Sequence, residues 1–276
     1  MSKHGTSVVR LENEELSMDI APDTGGRIIS LKHRSSGREF LWKKHGLTLE
    51  RRPAGSNYDQ NFYGGIDEII PNDLPENIHG IACPDHGELW TLPLDCKVKN
   101  ETFTLSGLLP GFGLHYTRRM RLKKNHLVCD YNITNRARSE RKFIWKMHAA
   151  LAIQPGDNII CPAMTACVAD HNWSRSKLTR PFTWAKDMAI IPESDESTEF
   201  LRLYDLTEGK MGLAARDGAA ITVFFDLNIF HYCYYFASYG GMGGAFFGVL
   251  EPNADLKLQP EETITTSLVW TINKGD

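Results

Sequence analysis

The chain has 276 residues, with 31 Lys and Arg against 34 Asp and Glu, a net charge of -3 and an isoelectric point of about 6.4. That length suits one large domain or two small ones and can bury a substantial core without disulfides or metal. The charge balance gives no bulk electrostatic basis for binding nucleic acid or an anionic membrane.

In chain order, the pattern reads as strands joined by short turns. Residues 1–7 lack an apolar core, so no signal peptide is expected. Leu16, Met18 and Ile20 alternate with polar residues and lead into the turn Pro22-Asp23-Thr24-Gly25-Gly26. Residues 27–32 and 39–42 follow as two further strands around a Ser35-Ser36-Gly37 turn, a meander signature. In residues 113–150, Leu114, Tyr116, Met120 and Leu122 alternate with His115, Thr117, Arg119, Arg121 and Lys123. A Lys124-Asn125 turn, a second alternating run and a turn over residues 135–140 predict three antiparallel strands in succession. Residues 155–197 are less regular and read as long loops, with short strands near residues 158–161 and 164–168. Ile264, Thr266, Leu268, Trp270 and Ile272 mark a last strand. Helical periodicity is nearly absent and no Pro/Ser linker divides the chain, so the expected fold is all-β, a large sandwich or barrel. The most apolar stretch, residues 219–250, is broken by Asp226, Asn228, His231 and glycines, and cannot serve as a spanning helix.

Glu251 closes the apolar run Ala245-Phe246-Phe247-Gly248-Val249-Leu250. A carboxylate in such a run is costly to bury unless it is paired or has chemical work to do. Alternation puts Phe247, Val249 and Glu251 on one face, and Pro252 is expected to end the strand there. His148 lies opposite in phase to Trp145 and Met147. If those two face the core, His148 faces a groove beside Ile144 and Lys146. His86 sits in Cys83-Pro84-Asp85-His86-Gly87-Glu88-Leu89-Trp90, and upstream runs Gly64-Gly65-Ile66-Asp67-Glu68-Ile69-Ile70-Pro71-Asn72. Both read either as ordinary turn chemistry or as loops presenting polar groups to a sugar-like ligand.

Other chemistries find little support. His79, Cys83 and His86 are suitable zinc ligand types, but no fourth ligand follows at a recognisable spacing. Gly240-Gly241-Met242-Gly243-Gly244 precedes neither G-K-[ST] nor a helix, so it reads as a turn. The basic residues Arg118, Arg119, Arg121, Lys123 and Lys124 read as a solvated sheet face. No G-x-S-x-G is present. Six cysteines without a C-x-x-C pair are most simply reduced thiols in a cytoplasmic protein.

Taken together, these motifs resemble the aldose 1-epimerase (galactose mutarotase-like) superfamily, in the family's order. Residues 21–31 resemble its opening glycine-rich hairpin, and Gly64-Gly65 through Pro71-Asn72 its next loop. Asp85-His86-Gly87 resembles its His-Gly motif. Asn132-Ile133-Thr134-Asn135 followed by Trp145-Lys146-Met147-His148 resembles the strand pair carrying the catalytic histidine. Leu250-Glu251-Pro252 resembles the catalytic glutamate motif, and Leu258-Gln259-Pro260 the closing turn. The resemblance spans residues 11–272.

It implies a twisted antiparallel β-sandwich over residues 1–276 as one domain, with a sugar as the partner, no cofactor and no metal. It further implies Glu251 as general base on the anomeric hydroxyl and His148 as general acid on the ring oxygen. His86 is then a sugar contact near the ring oxygen or C1 hydroxyl. Loop position and hydrogen-bonding capacity add Asp67, Asn72 and Arg27 as expected ligand contacts. Two departures bear on the sugar. Asp67-Glu68 stands where many galactose mutarotases carry Asn-Arg, and Glu88-Leu89-Trp90 stands where hexose-6-phosphate epimerases carry an Arg. An acid there disfavours phosphate. The rival readings are a non-catalytic carbohydrate-binding protein on the same fold and a glycoside hydrolase or lyase. The hydrolase reading needs a second carboxylate from Asp67, Glu68, Asp85 or Glu88.

Overall fold

A computed structural model describes residues 6–275. The alternating runs become two large antiparallel sheets. The first has ten strands, in the spatial order Val9–Glu12, Leu16–Ala21, Arg27–His33, Ile66–Ile69, Arg141–Leu151, Ala245–Leu258, Tyr232–Met242, Ser197–Leu206, Ala163–Val168 and Phe182–Thr183. The second has eight: Asn158–Ile160, Lys210–Ala214, Ala219–Phe224, Thr263–Lys274, His126–Asn135, Leu114–Lys123, Thr102–Leu109 and Asp95–Lys99. A hairpin of Glu76–Ile78 and Ile81–Cys83 stands apart. The fold is all-β, as the alternation predicts, and of the sandwich and barrel it left open it is the sandwich.

The sheets share one apolar core. Leu16, Met18 and Ile20 point into it, as do Tyr131 of the eight-stranded sheet and Trp145 and Met147 of the ten-stranded one. The rings of Tyr131 and Trp145 meet edge to face at 4.9 Å, a favoured aromatic geometry.

Four expectations are corrected. Residues 39–42 form isolated bridges at Glu39 and Leu41 instead of a strand. The Glu39 carboxylate takes the Ser30 hydroxyl at 2.5 Å and the Leu31 N–H at 2.9 Å, so a side chain satisfies groups a ladder would have paired. Pro252 does not end its strand, which continues to Leu258. The ladder to Arg141–Leu151 instead has a gap between the pairs Lys146↔Asn253 and Ala149↔Leu250, so the missing proline N–H is absorbed in a local break. The three strands of residues 114–151 are not consecutive neighbours. The first two pair in the eight-stranded sheet, and Arg141–Leu151 crosses to the other sheet to lie between Ile66–Ile69 and Ala245–Leu258.

The fourth correction concerns Arg118, which is not on the solvated face. It is in phase with Tyr116 and Met120, and is only 1% exposed. Its guanidinium reaches Glu68 of the opposite sheet at 2.8 Å and the Gly26 carbonyl. Glu68 also accepts from Tyr116 Oη and Trp145 Nε1, each at 2.8 Å. A buried carboxylate is tolerated when its acceptors are satisfied in this way, although Arg118 Nε finds no partner among the described residues. The cluster ties the two sheets together through the Ile66–Ile69 strand. Because successive side chains alternate, Glu68 on the core side puts Asp67 on the other face.

Candidate active site

The site is a row of side chains running across the ten-stranded sheet. Asp67 pairs with His148, the pairs flanking the ladder gap set His148 opposite Glu251, and Glu251 pairs with Tyr234. Residues directly opposite across antiparallel strands hold their Cβ atoms about 5 Å apart. The register therefore brings a histidine and a glutamate from distant parts of the chain onto one rung. The core-side partners Trp145 and Met147 fix which face His148 takes.

His148 and Glu251 line a cavity of about 220 Å³, together with His86, Lys146, Tyr58, Asp59, Asp73 and Asp170 among others. His148 is held from behind. Its Nδ1 lies 3.0 Å from Asp67 Oδ1 and 3.2 Å from Tyr58 Oη. Tyr58 Oη donates to Asp67 Oδ2 at 2.8 Å. With that hydroxyl proton committed, the proton on the Nδ1 side belongs to the imidazole, and Nε2 is the nitrogen left for a ligand. Burial alone lowers the basicity of His148. The Asp67 hydrogen bond and charge, with help from Glu251, outweigh it, and the pKa rises above the ordinary histidine value.

Glu251 is 4% exposed. Lys146 Nζ stands 3.3 Å from its Oε2, also pairs with Asp73 and lies 4.4 Å over the Tyr234 ring. Burial works against the Lys146 charge, but Glu251 and Asp73 more than compensate, so its pKa is raised and it stays an ammonium. Sequence reading placed Lys146 beside the groove without seeing this pairing. Register alone could have shown its facing, but not its reach to Asp73.

His86 is on the cavity wall. Its ring stacks on Tyr58 at 3.9 Å and is within 4° of parallel. Nδ1 lies 2.8 Å from Asp85 Oδ1, and Nε2 lies 3.8 Å from Asp73 Oδ1. The loop is fixed by Gly87, whose φ is 71°. A Cβ there would lie 2.1 Å from the Ile70 carbonyl oxygen, so glycine is required on both conformational and steric grounds.

Asp67, Asn72 and Arg27 stand behind the cavity wall instead of on it. Both Asp67 oxygens are occupied, and Arg27 Nη2 reaches Oδ2 at 2.5 Å. Arg27 also donates to the Gly64 carbonyl at 2.7 Å. The Asn72 amide donates to the carbonyls of Leu74 and Pro84, each at 2.7 Å, bridging the Asp73 loop to the His86 loop. The carboxylate of Asp67, both Asn72 amide bonds and the Arg27 Nη groups go to the protein, while Arg27 Nε and Asn72 Oδ1 are buried without a partner among the described residues. Glu88 does not face the cavity either. Its carboxylate accepts from the Gly111 and Phe112 N–H groups at 2.8 Å.

Tyr58 was not foreseen. It is delivered by a single helical turn, Tyr58–Asn61, whose Asn57 cap accepts from Gln60 N–H at 2.9 Å. The Asn57 cap is a legible signal, but one turn carries no periodicity. Among the described residues, no group of three or more His, Cys, Asp or Glu is placed to hold a metal ion. No helix among them is long and apolar enough to cross a membrane.

Comparison with known proteins places the fold. Residues 2–67 match a family model described only as a domain of unknown function, DUF5107. No curated protein sequence matches the chain. Solved structures match along nearly its whole length. The Slr1438 protein of Synechocystis sp. PCC 6803 superposes with a TM-score of 0.77 at 14% identity, covering 99% of this chain and 98% of its own. A galactose mutarotase-like protein of Lactobacillus casei gives 0.69 at 15% identity, over 97% and 100%. A galactose mutarotase related enzyme of Lactobacillus acidophilus gives 0.72 at 13%, over 97% and 98%. The chain has the galactose mutarotase-like fold.

Proposed function

We propose that the protein is an aldose 1-epimerase, interconverting the α and β anomers of an uncharged sugar. Glu251 takes the proton of the C1 hydroxyl while His148 Nε2–H protonates the ring oxygen. The C1–O5 bond breaks and C1 becomes a free aldehyde. The C1–C2 bond rotates, and closure on the other face returns both protons, so the enzyme ends as it began. The observation that carries this reading is the juxtaposition of His148 and Glu251 on one rung of the sheet, both on the cavity wall. Proton transfer by two positioned groups supplies about 10²–10⁴-fold each.

The supports give each group its role. Asp67 holds His148 in the tautomer that turns Nε2 to the sugar and favours its protonated, acid form. Lys146 engages Glu251 Oε2, which leaves Oε1 to act as the base. His86, on the same wall, is suited to bond the ring oxygen or the C1 hydroxyl. Asp59, Asp73, Asp170 and Glu251 line the cavity against Lys146 and the protonated His148, so the acids outnumber the cations and a sugar phosphate is repelled. Those acids take over the argument that sequence reading rested on Glu88.

One observation favours a non-catalytic carbohydrate-binding protein: Glu251 is already ion-paired with Lys146. The two readings part in a single experiment. NMR exchange between anomers of glucose and galactose, and of their 6-phosphates, is expected to accelerate with catalytic protein for the neutral sugars only. Sugar binding without acceleration would favour the binding protein. We further read the chain as one domain of a cytoplasmic protein, consistent with its six unbridged cysteines.

A further inference from the structure

The cavity does not stop at the acid–base pair. Its far wall is aromatic: Phe247, Phe236, Phe200 and Trp173 all line it. Phe236 and Phe200 are direct cross-strand partners, with ring centroids 5.8 Å apart. Phe236 lies 6.0 Å from Phe247 and 6.3 Å from Trp173. This shelf runs from the Glu251 strand to the Ser197–Leu206 strand. From the His148 strand to the Phe200 strand is three strand spacings, about 14 Å. One pyranose ring is little wider than one such spacing, so the floor is longer than a monosaccharide.

Trp173 closes the shelf and is 43% exposed, leaving much of its large apolar surface open to a ligand. It is nonetheless held in place. The next residue, Ser174, is buried and bonded to Glu199, and Arg175 N–H donates to the Thr198 carbonyl at 2.7 Å. On the other side, Ala169 N–H donates to the Phe200 carbonyl at 2.9 Å. Both ends of the loop are thus tied to the Ser197–Leu206 strand, and the ring is presented beside the shelf at little further ordering cost. Asp170 stands beside it on the cavity wall, an acceptor for hydroxyls. The rings are not coplanar: Phe200 and Trp173 meet Phe236 at 74° and 64°, and Phe236 and Phe247 at 41°. They form an apolar trough, with a carboxylate at its edge, that suits the C–H faces and hydroxyls of a saccharide.

We propose that the site takes the reducing end of an uncharged disaccharide or longer saccharide, with the terminal ring at His148 and Glu251 and the next ring on Phe236, Phe200 and Trp173. The orientation rests on the epimerase reading; the shelf itself does not. The test is calorimetric titration of wild type and Trp173→Ala with glucose, galactose, maltose, cellobiose and lactose. At least one disaccharide is expected to bind about tenfold tighter than the monosaccharide of its reducing end, the scale of one aromatic contact. Trp173→Ala is expected to remove most of that ratio. Equal or weaker binding of every disaccharide, or binding of none, overturns the proposal, as does a ratio unchanged in Trp173→Ala. The two readings fail separately. A disaccharide preference without anomer exchange keeps the shelf and rejects the acid–base pair. Monosaccharide exchange without the preference rejects the shelf alone.

Discussion

Replacing Asp67 by Asn should move the alkaline limb of the pH–rate profile downward. The carboxylate is 2% exposed and lies 3.0 Å from His148 Nδ1. At that separation, in a site that excludes water, the carboxylate favours the charged imidazolium strongly. Arg27 shares the same carboxylate and cancels part of its effect, yet the balance still raises the imidazole. In the wild type, His148 is held above its ordinary value by Asp67, so the acid form persists to higher pH than in a free imidazole. In Asp67→Asn, burial and the now unneutralised Arg27 both push the imidazole down. The general acid is then lost at lower pH, and kcat/KM falls about 10–100-fold on the alkaline side while recovering toward wild type in acid. The assay is anomer exchange by NMR from pH 5 to 9, with circular dichroism confirming the fold. An alkaline limb at the wild-type position would refute the coupling between Asp67 and His148. A uniform loss at every pH would make Asp67 a structural support only.

Lys146→Met should destabilise the protein by about 3–5 kcal/mol, because Glu251 is left buried without its cation. Thermal unfolding checks this, and an unchanged Tm would mean that the pair contributes nothing net. Gly87→Ala should cost about 1–3 kcal/mol of backbone strain and displace His86, raising KM for the sugar more than it lowers kcat. Steady-state kinetics with wild-type values of both constants would show that the His86 loop tolerates a side chain.

The sheets were legible because the sequence alternates cleanly wherever one face meets the core, as at Leu16, Met18 and Ile20. Which strand joins which sheet was not. Leu114–Lys123, His126–Asn135 and Arg141–Leu151 look alike as patterns, and only the long-range partners Ile66–Ile69 and Ala245–Leu258 draw the last of them to the other side. Arg118 could have been read correctly, since it keeps phase with Tyr116 and Met120; its charge masked its position. His148, Glu251 and His86 could be picked out by phase, burial and loop chemistry. Asp67, Asn72 and Arg27, read from sequence as ligand contacts, lie behind the cavity wall. The composition of a polar residue does not say whether its hydrogen bonds go to a ligand or to the protein. Tyr58 and the Lys146 bridge depend on side chains meeting across 73 to 105 residues of chain, and no local pattern records that.

The most direct test of the account is the rate of anomer exchange in Glu251→Gln, measured by NMR beside the wild type on the preferred sugar and paired with the dissociation constant of that sugar. The account predicts exchange lowered by about 10²–10⁴-fold, with affinity kept within a few-fold. Exchange near the wild-type rate, with Glu251 replaced, would contradict it.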